Sequence, residues 1–485
     1  MVNSIQSPRI ERDPLGQIEL PALAYYGPQT GRGIANFPIS GISISHFPNL
    51  IRALAWVKKA AARANATLGD LDPAKAEAIC AACDDVASGA YDAEFPLDVF
   101  QGGAGTSTNM NANEVIANRA LEILGLPRGC YDIIHPNNDV NLAQSTNDVY
   151  PTSIRLAILL SYGGLVQGLG RLAAEFEAKG ESFADVVKLG RTQLQDAVPM
   201  TLGQEFQAFA ATLREDVARI AEIACLFNEI NLGGTAIGTG INTNPAYQGL
   251  VVAELRKISG LHLCAAGNLI EACWDTGAFV LFSGMLKRTA TKLSKICNDL
   301  RLLSSGPRGG FNEINLPPLQ PGSSIMPGKV NPVVPEVVNQ VAFQIIGYDL
   351  TITLASEAGQ LQLNVMEPVI AYNILHSLEL LTNAIETLRT KCVVGITANS
   401  DACLGHLEAS TAVATALTPF IGYERAAELA LEVLASGKTI REVLELQPDL
   451  SPNVLSRVTD PALLTRPLQQ HITAAGTSNS FDKLV

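Results

Sequence analysis

Apolar residues recur with a helical period through the middle of the chain. One face is formed by positions i, i+4, i+7, i+8 and i+11 of a segment, namely Leu165, Leu169, Leu172, Ala173 and Phe176. This spacing predicts an amphipathic α-helix. The same period recurs further on, in Leu286, Ala290, Leu293, Ile296, Cys297, Leu300 and Leu303. With two more helical patterns at 333–358 and 368–392, the sequence predicts a bundle of long helices.

The pattern changes on either side of these helices. The segment 48–88 is rich in alanine and predicts helix, whereas glycine, asparagine and proline become frequent between residues 95 and 151. Beyond Asn399, shorter helical patterns are interrupted by Pro419, Gly437 and Pro448. We therefore predict a mainly α protein of three domains. They are an N-terminal mixed helical domain (1–146), a central long-helix bundle domain (147–398) and a small C-terminal helical domain (399–485).

Composition favours a water-soluble protein that buries much of its surface. Of the 485 residues, 47% are hydrophobic and only 17% are charged, a deficit that burial between subunits would explain. A formal charge of −13 argues against a nucleic-acid partner, since phosphates would be repelled. No run of about 18 apolar residues predicts a membrane span. We expect a cytoplasmic protein with no nucleic-acid or membrane partner.

The nine cysteines are scattered and odd in number, as in a reducing compartment. Cys80 and Cys83 form one C-x-x-C pair, but neither a second pair nor a nearby histidine completes a zinc site. Core packing on an alanine-rich helix is the better interpretation. We predict no metal ligands.

Four polar, glycine-marked blocks interrupt the helical patterns. They are GGAGTSTNMNANEV (102–115), HPNNDVNLAQSTND (135–148), GRTQLQDAVPMTLGQEF (190–206) and GSSIMPGKVNP (322–332). Their hydroxyl and amide groups suit the binding of oxyanions. Taken singly, Thr106 or Ser145 could equally be a helix N-cap. Because the same chemistry recurs at four predicted helix ends, where helix N-termini add partial positive charge, we favour one shared site.

The four blocks resemble the signature regions of the aspartase/fumarase superfamily, and GSSIMPGKVNP is similar to its hallmark loop. The match extends from residue 13 to residue 403. Longer phrases such as KICNDLRLLSSGPR and AGQLQLNVMEPVI are similar to the members that act on L-aspartate. The resemblance implies the three-domain fold of this superfamily. It also implies a homotetramer with a multi-helix core, in which three subunits contribute to each active site.

The activity implied by the resemblance is reversible elimination of ammonia from L-aspartate to give fumarate, with no cofactor required. Ser323 would be the general base that removes the Cβ proton, and the charge would develop on an aci-carboxylate. The other roles carried over from the family pattern fall into three groups. The β-carboxylate would accept hydrogen bonds from Thr106, Ser145, Thr146 and Ser324. The α-carboxylate would be held by Lys329 and Asn331. Asn147 and Thr192 would lie near the amino group.

Gln193 indicates which group leaves. Hydratases of the superfamily, and lyases that cleave succinyl adducts, have a histidine after the threonine, where this chain has Thr192-Gln193. Hydroxide needs a proton donor in order to leave, whereas the ammonium of aspartate already carries its proton. Glu336 matches the carboxylate that pairs with that histidine. It could support Gln193, or equally complement a helix dipole as a first-turn glutamate.

Other functions stay open at this stage. A fumarate hydratase or a lyase for an N-substituted aspartate would share the loop, and a catalytically silent scaffold would share the fold. Asn138 stands where the superfamily generally has aspartate. His135 could bind an anion, as this segment does in some relatives, but a structural role for His135 in the loop is at least as well supported. Activation by a divalent metal is left open, with Arg32 as a candidate contact for an effector.

Overall fold

The computed structural model describes residues 8–447 and 460–466, and it is mostly helical. The mainly α prediction is confirmed. The α-helices of the described residues are numbered in chain order as follows: α1 Pro28–Asn36, α2 Pro48–Leu68, α3 Pro73–Ala87, α4 Thr106–Ile123, α5 Thr146–Ser182, α6 Leu202–Ala224, α7 Tyr247–Ser259, α8 Gly277–Leu303, α9 Val333–Glu357, α10 Glu367–Lys391, α11 Ser400–Glu408, α12 Thr418–Ile421, α13 Tyr423–Ser436 and α14 Ile440–Glu445.

Local signals explain where the first long helices begin and end. Helix α2 starts at Pro48, whose fixed φ suits the first turn, and stops before Gly69, which has a φ of 81°. Helix α3 also starts at a proline, and the Asp72 side chain accepts hydrogen bonds from the backbone N–H groups of Ala74 and Lys75. The helical prediction for segment 48–88 is confirmed.

The four long helices predicted from the apolar period are present as α5, α8, α9 and α10. Every residue named for the predicted faces of α5 and α8 is buried. Leu165 and Phe176 of α5, for example, have no exposed surface. The period of 3.6 therefore identified the core-facing side of both helices correctly.

The strands of the described residues form four two-stranded pairs. β1 Arg9–Asp13 pairs antiparallel with β2 Gly16–Leu20, and β3 Val187–Thr192 pairs antiparallel with β4 Gln195–Thr201. β5 Glu229–Ile230 runs parallel to β6 Cys264–Ala265, and β7 Ile314–Asn315 is antiparallel to β8 Thr397–Ala398. The β3–β4 hairpin overlaps the third polar block (190–206), where we expected a helix end. The helix end is present, because α6 begins at Leu202 inside this block, but the hairpin that precedes it was not predicted.

The described residues group into two compact units. The first unit takes its described residues from Met1–Ala173, Thr212–Asn298 and Val333–Thr390, and the second from Ala174–Ala211, Asp299–Pro332 and Lys391–Val485. The three-domain division predicted from the sequence stays a prediction. Its boundaries fall beside the starts of α5 and α11.

The C-terminal segment of the second unit is built from short helices, as predicted. Gly437 ends α13 with a φ of 67°. Pro419 does not interrupt a helix, because it lies in the first turn of α12, where proline is tolerated. Pro448 lies outside the described residues. Leu189 of β3 belongs to the same hydrophobic cluster as Leu417 and Val443, so the hairpin packs on this segment.

By length and composition alone, one helix of the described residues, α5, contains a stretch apolar enough to cross a membrane. The core helix of a water-soluble protein passes the same test. Helix α5 buries Thr152, Ser153 and Arg155 inside the protein, which is the pattern of a packed core helix. The absence of a membrane partner stays a prediction.

Glu367, the first residue of α10, is a fully buried carboxyl group. Burial raises its pKa to about 8, and the nearby positive charge of Arg155 opposes this shift. The folded protein therefore holds a proton on Glu367 at pH values where the unfolded chain, with an ordinary pKa of 4.5, has released it. Because the folded state binds this proton more tightly, its contribution to stability is complete at low pH and is lost as the pH rises through 8.

Replacing Glu367 with glutamine should flatten the pH dependence of stability. We expect the free energy of unfolding of the unsubstituted protein to fall more steeply between pH 5 and pH 8 than that of Glu367→Gln, measured by urea denaturation at each pH. Glu424→Gln, which removes an exposed carboxylate from α13, serves as the control and should keep the original slope. Parallel slopes for all three proteins would contradict the assignment.

Candidate active site

Two helix N-termini meet in the first unit. Thr106 is the first residue of α4 and Thr146 the first residue of α5. Gly105, just before α4, has a φ of 87°, and a Cβ atom built on it would lie 2.4 Å from the Tyr150 ring in the first turns of α5. Only glycine allows this approach. The two helix starts therefore bring their backbone N–H groups and partial positive charges together, as an anion site requires.

The start of α5 is held by a cap that leaves donors free. The Ser145 hydroxyl oxygen accepts a hydrogen bond from Asn147 N–H at 3.2 Å, and Ser145 N–H donates to Asp148 Oδ1 at 2.9 Å. The cap considered from the sequence is thus present. Since the Ser145 oxygen acts as an acceptor in it, its hydrogen stays available to a ligand. Thr146 Oγ1 likewise accepts from Asn109 Nδ2 at 3.1 Å.

Asp148 connects the start of α5 to a neighbouring loop. Its Oδ2 accepts from the N–H groups of Gly233 at 2.9 Å and Thr235 at 3.0 Å, and Asn147 Nδ2 donates to Ala236 O at 2.8 Å. Burial raises the pKa of Asp148 to about 6, although the backbone N–H groups oppose this shift. Asn147 is therefore fixed through its amide nitrogen, which leaves its side-chain oxygen to accept a hydrogen bond from a ligand.

Lys58, which the sequence analysis missed, lies under this site. Its ammonium is fully buried and donates to the side-chain oxygens of Asn109 at 2.7 Å, Asn141 at 2.8 Å and Gln144 at 3.0 Å. Burial lowers the pKa of Lys58, and the Asp148 carboxylate opposes this shift. A signal was present, because the positions three and four residues before and after Lys58 on this alanine-rich helix are all apolar, namely Leu54, Ala55, Ala61 and Ala62.

In the second unit, Thr192 and Gln193 lie at the tip of the β3–β4 hairpin. Thr192 pairs with Gln195, so Gln193 and Leu194 form a two-residue turn. Both have positive φ, 55° and 58°, as in a type I′ turn. This conformation costs a non-glycine residue roughly 1–2 kcal/mol. Thr192 and Gln193 are both exposed, so their side chains are accessible to a ligand.

The loop 322–332 in the second unit is closed at its neck by two hydrogen bonds. Gly322 N–H donates to Lys329 O at 2.8 Å, and Asn331 Nδ2 donates to Gly322 O at 2.8 Å. A Cβ atom on Gly322 would lie 2.6 Å from Lys329 O, so only glycine fits there. Lys329 and Asn331 line a cavity of about 520 Å³ together with Asn312 and Asn315.

Ser323 has an environment that favours a negatively charged oxygen. Its Oγ accepts from the backbone N–H groups of Ile325 at 3.2 Å and Met326 at 3.0 Å. Hydrogen bonds to the ionised form of a group lower its pKa, so these donors favour the alkoxide over the hydroxyl. Ser324 is exposed on the same loop.

The predicted site residues thus fall into two sets within one chain. Thr106, Ser145, Thr146 and Asn147 belong to the first unit, and so does Glu336, in the first turn of α9. The residues of the second unit are Thr192, Gln193, Ser323, Ser324, Lys329 and Asn331. In the first turn of α9, the negative charge of Glu336 is placed to interact favourably with the positive end of the helix dipole. Support of Gln193 by Glu336 stays a prediction.

The two residues considered for effector binding have partners within the protein. Arg32 donates to both carboxylate oxygens of Asp13, at 2.6 and 2.8 Å. His135 Nδ1 accepts from the N–H groups of Asn137 and Asn138, which supports its structural role. Among the described residues, no cluster of three or more His, Cys, Asp or Glu side chains is placed to hold a metal ion.

Comparison with known families identifies the class of this protein. Residues 16–347 match the family model described as Lyase, and residues 413–466 match the model described as Fumarase C C-terminus. The chain belongs to this family, and it is a lyase of the aspartase/fumarase superfamily.

Individual relatives narrow the class. An aspartate ammonia-lyase of Pseudomonas canavaninivorans is 60% identical over 96% of this chain and 98% of its own length. The crystal structure of a fumarate lyase:delta crystallin from Brucella melitensis bound to cobalt is 60% identical, with a TM-score of 0.92 over 95% of this chain and 100% of that one. A class II fumarase from Schistosoma mansoni is 36% identical, with a TM-score of 0.89 over 94% of this chain and 99% of that one. The predicted superfamily fold is confirmed.

The contact between Gly105 and Tyr150 can be tested with a matched pair of substitutions. Gly103 and Gly105 share a φ of 87°, but a Cβ atom on Gly103 would lie 3.8 Å from its nearest neighbour. Gly103→Ala should therefore lose only about 1–2 kcal/mol of unfolding free energy from backbone strain. Gly105→Ala should lose roughly 1–3 kcal/mol more, because the methyl group meets the ring. Equal losses in urea denaturation would show that the helix starts are not in close contact.

Proposed function

We propose that this chain catalyses the reversible elimination of ammonia from L-aspartate to give fumarate, the reaction of an aspartate ammonia-lyase. The observation that carries the proposal is 52–60% identity, over nearly the full length, to relatives with that name. The intact loop 322–332 and the Thr192-Gln193 turn agree with it, because they supply a base and a leaving-group contact of the kind this reaction needs.

The difficult step is removal of the Cβ proton, because the adjacent carboxylate must become a dianionic aci-carboxylate. Thr106, Ser145 and Thr146 stand at the two helix starts of the first unit, where backbone N–H groups and helix dipoles favour this charge. The Ser145 and Thr146 hydroxyls have a hydrogen to donate, whereas the Thr106 hydroxyl donates to Gly103 O at 2.7 Å and would have to turn toward the substrate. One well-placed donor stabilises such a transition state by roughly 3 kcal/mol. Ser324 adds a further hydroxyl donor from the loop.

Ser323 is the base that accepts the Cβ proton. A serine hydroxyl is ordinarily too weakly acidic to serve, and the two backbone N–H groups at Ser323 Oγ supply the stabilisation that its alkoxide needs. Lys329, on the same loop, adds a positive charge. The neck between Gly322 and Lys329 lets the loop move as one lid, which would exclude water from the reacting groups.

The substrate is held at its other end by Lys329 and Asn331. Lys329 is exposed at the cavity and supplies the positive charge for the α-carboxylate. Asn331 uses one N–H of its amide for Gly322 O, which leaves the second N–H for the same carboxylate. Ammonia departs toward Gln193, Thr192 and Asn147, whose oxygens accept from the ammonium group. No acid is needed, because the leaving nitrogen carries its own proton.

The active site is assembled from three subunits of a homotetramer in the cytoplasm, with no required cofactor. Helix α9 supports this assembly, because it presents an apolar stripe with the helical spacing i, i+3, i+7 and i+11. The stripe consists of Phe343 (63% exposed), Ile346 (40%), Leu350 (60%) and Leu354 (60%). A stripe of this kind is covered when long helices of several subunits form one bundle. It also accounts for the low charged fraction.

The reaction can be tested by following the ultraviolet absorbance of fumarate with the purified protein. We expect fumarate to be consumed when ammonium is present and not in its absence. Equal consumption with and without ammonium would identify a hydratase and would refute the proposal. No consumption in either case would favour a larger amine as substrate, or a scaffold without activity.

The roles of the two loop serines can be separated by comparing activity with binding. Ser323→Ala should lower kcat by about 10²–10⁴-fold, the range of general-base catalysis, while the affinity for succinate, a non-reacting dicarboxylate, stays unchanged. Ser324→Ala should weaken succinate binding, because it removes a donor to a carboxylate. Turnover retained by Ser323→Ala would refute its assignment as the base.

A further inference from the structure

A buried ion cluster in the second unit surrounds the carboxylate of Glu313. Its side chain has no exposed surface, and it contacts Lys188 Nζ through Oε2 at 2.7 Å and Arg191 Nη1 through Oε1 at 2.6 Å. His406 Nδ1 lies 3.2 Å from Oε1. Lys188 Nζ also contacts Glu205 Oε2 at 2.6 Å. Two cations and two carboxylates therefore balance in the cluster.

Both cations of this cluster belong to β3, the strand that leads into the Thr192-Gln193 turn. Side chains alternate between the two faces of a strand, so residues three apart ordinarily point in opposite directions. The β3–β4 pairing has a bulge between Leu189 and Arg191, where one residue of β3 lies opposite two residues of β4, and such a bulge bends and twists the pair locally. Lys188 and Arg191, on either side of the bulge, nevertheless both reach the Glu313 carboxylate with their long side chains.

The position of Glu313 is itself fixed by its backbone. Its N–H donates to Leu303 O at 2.9 Å, and its carbonyl oxygen accepts from Asn399 N–H at 2.9 Å. The charges of Lys188 and Arg191 hold the pKa of Glu313 below its usual range, even though burial alone would raise it. The carboxylate is thus a fixed, ionised anchor for the strand.

Arg191 connects Glu313 to the Thr192-Gln193 turn. Its guanidinium contacts Glu313 on one side and lies over the Phe311 ring, 4.1 Å from the ring centre. Gln193 and Leu194 have positive φ angles, which residues other than glycine seldom adopt. Such strained backbone persists only where contacts with the surrounding structure hold it in place. The last strand residue fixed by an ion pair is Arg191, one residue before Thr192.

We propose that Glu313 is a positioning residue for amine recognition: through Lys188 and Arg191 it holds the Thr192-Gln193 turn in the shape that receives the ammonium group. This inference rests on the proposed function for the role of Gln193. The structural part, that Glu313 holds the turn, rests only on its ion pairs with Lys188 and Arg191.

The test compares Glu313→Gln with Glu205→Gln in the full-length protein. Each substitution removes one carboxylate from Lys188, but only Glu313 also contacts Arg191. For Glu313→Gln we expect faster hydrogen–deuterium exchange in peptides covering 187–201. We also expect a Michaelis constant for ammonium raised by about 10- to 100-fold, the effect of a small misplacement, with that for fumarate within about twofold. Glu205→Gln should keep the ammonium constant of the unsubstituted protein.

Arg191→Lys gives a second route if Glu313→Gln does not fold. It keeps the buried charge balance but removes the planar guanidinium from the strand end, so the same changes in exchange and ammonium constant are expected. Unchanged exchange in the hairpin would overturn the proposal. Faster exchange with ammonium and fumarate constants rising together would also overturn it, because a general loss of structure would then be the cause.

Failure of the proposed function gives a different result. If the unsubstituted protein does not consume fumarate with ammonium, the assigned reaction falls, whereas hydrogen–deuterium exchange still reports whether Glu313 holds the turn. Exchange that rises in Glu313→Gln but not in Glu205→Gln then supports the positioning role on structural grounds.

Discussion

The close approach of Gly105 to the Tyr150 ring is the contact on which the first unit's candidate site depends. It allows α4 and α5 to begin side by side, so that two sets of free backbone N–H groups and two helix dipoles act on one region. The Ser145-Asp148 cap and the contacts of Asp148 with the loop at Gly233 then fix the start of α5. Hydroxyl groups at the two helix starts are consequently held by backbone structure rather than by flexible side chains.

Buried charges fix the functional segments in both units. In the first unit, Lys58 gathers three amide oxygens beneath the start of α5. In the second, Glu313 gathers Lys188 and Arg191 beneath the hairpin. A buried charge that loses a partner is strongly destabilising, so each group permits few alternative arrangements of its neighbours. Loops and turns, which alone would be variable, acquire defined positions in this way.

The long helices serve the fold and the proposed assembly at once. Helix α5 has the length and apolar composition of a membrane span, yet it packs as a core helix with Arg155 buried in the protein. Helix α9 leaves Phe343, Leu350 and Leu354 exposed on one chain. These features follow from one constraint: a helix that packs on its own chain and on other subunits must be apolar on more than one face. The low proportion of charged residues agrees with it.

The sequence by itself determined the long helices, their buried faces and the lyase family, because periodicity and the loop motif are properties of contiguous residues. It did not reveal the β3–β4 hairpin, since Gln193-Leu194 lacks the Asn-Gly or Asp-Gly signal of such a turn. Nor did it reveal Lys58 and Glu313 as anchors. Lys58 contacts Asn141, 83 residues away, and Glu313 contacts Arg191, 122 residues away. Tertiary structure alone decided these contacts, because burial and charge pairing depend on which distant segments the folded chain brings together.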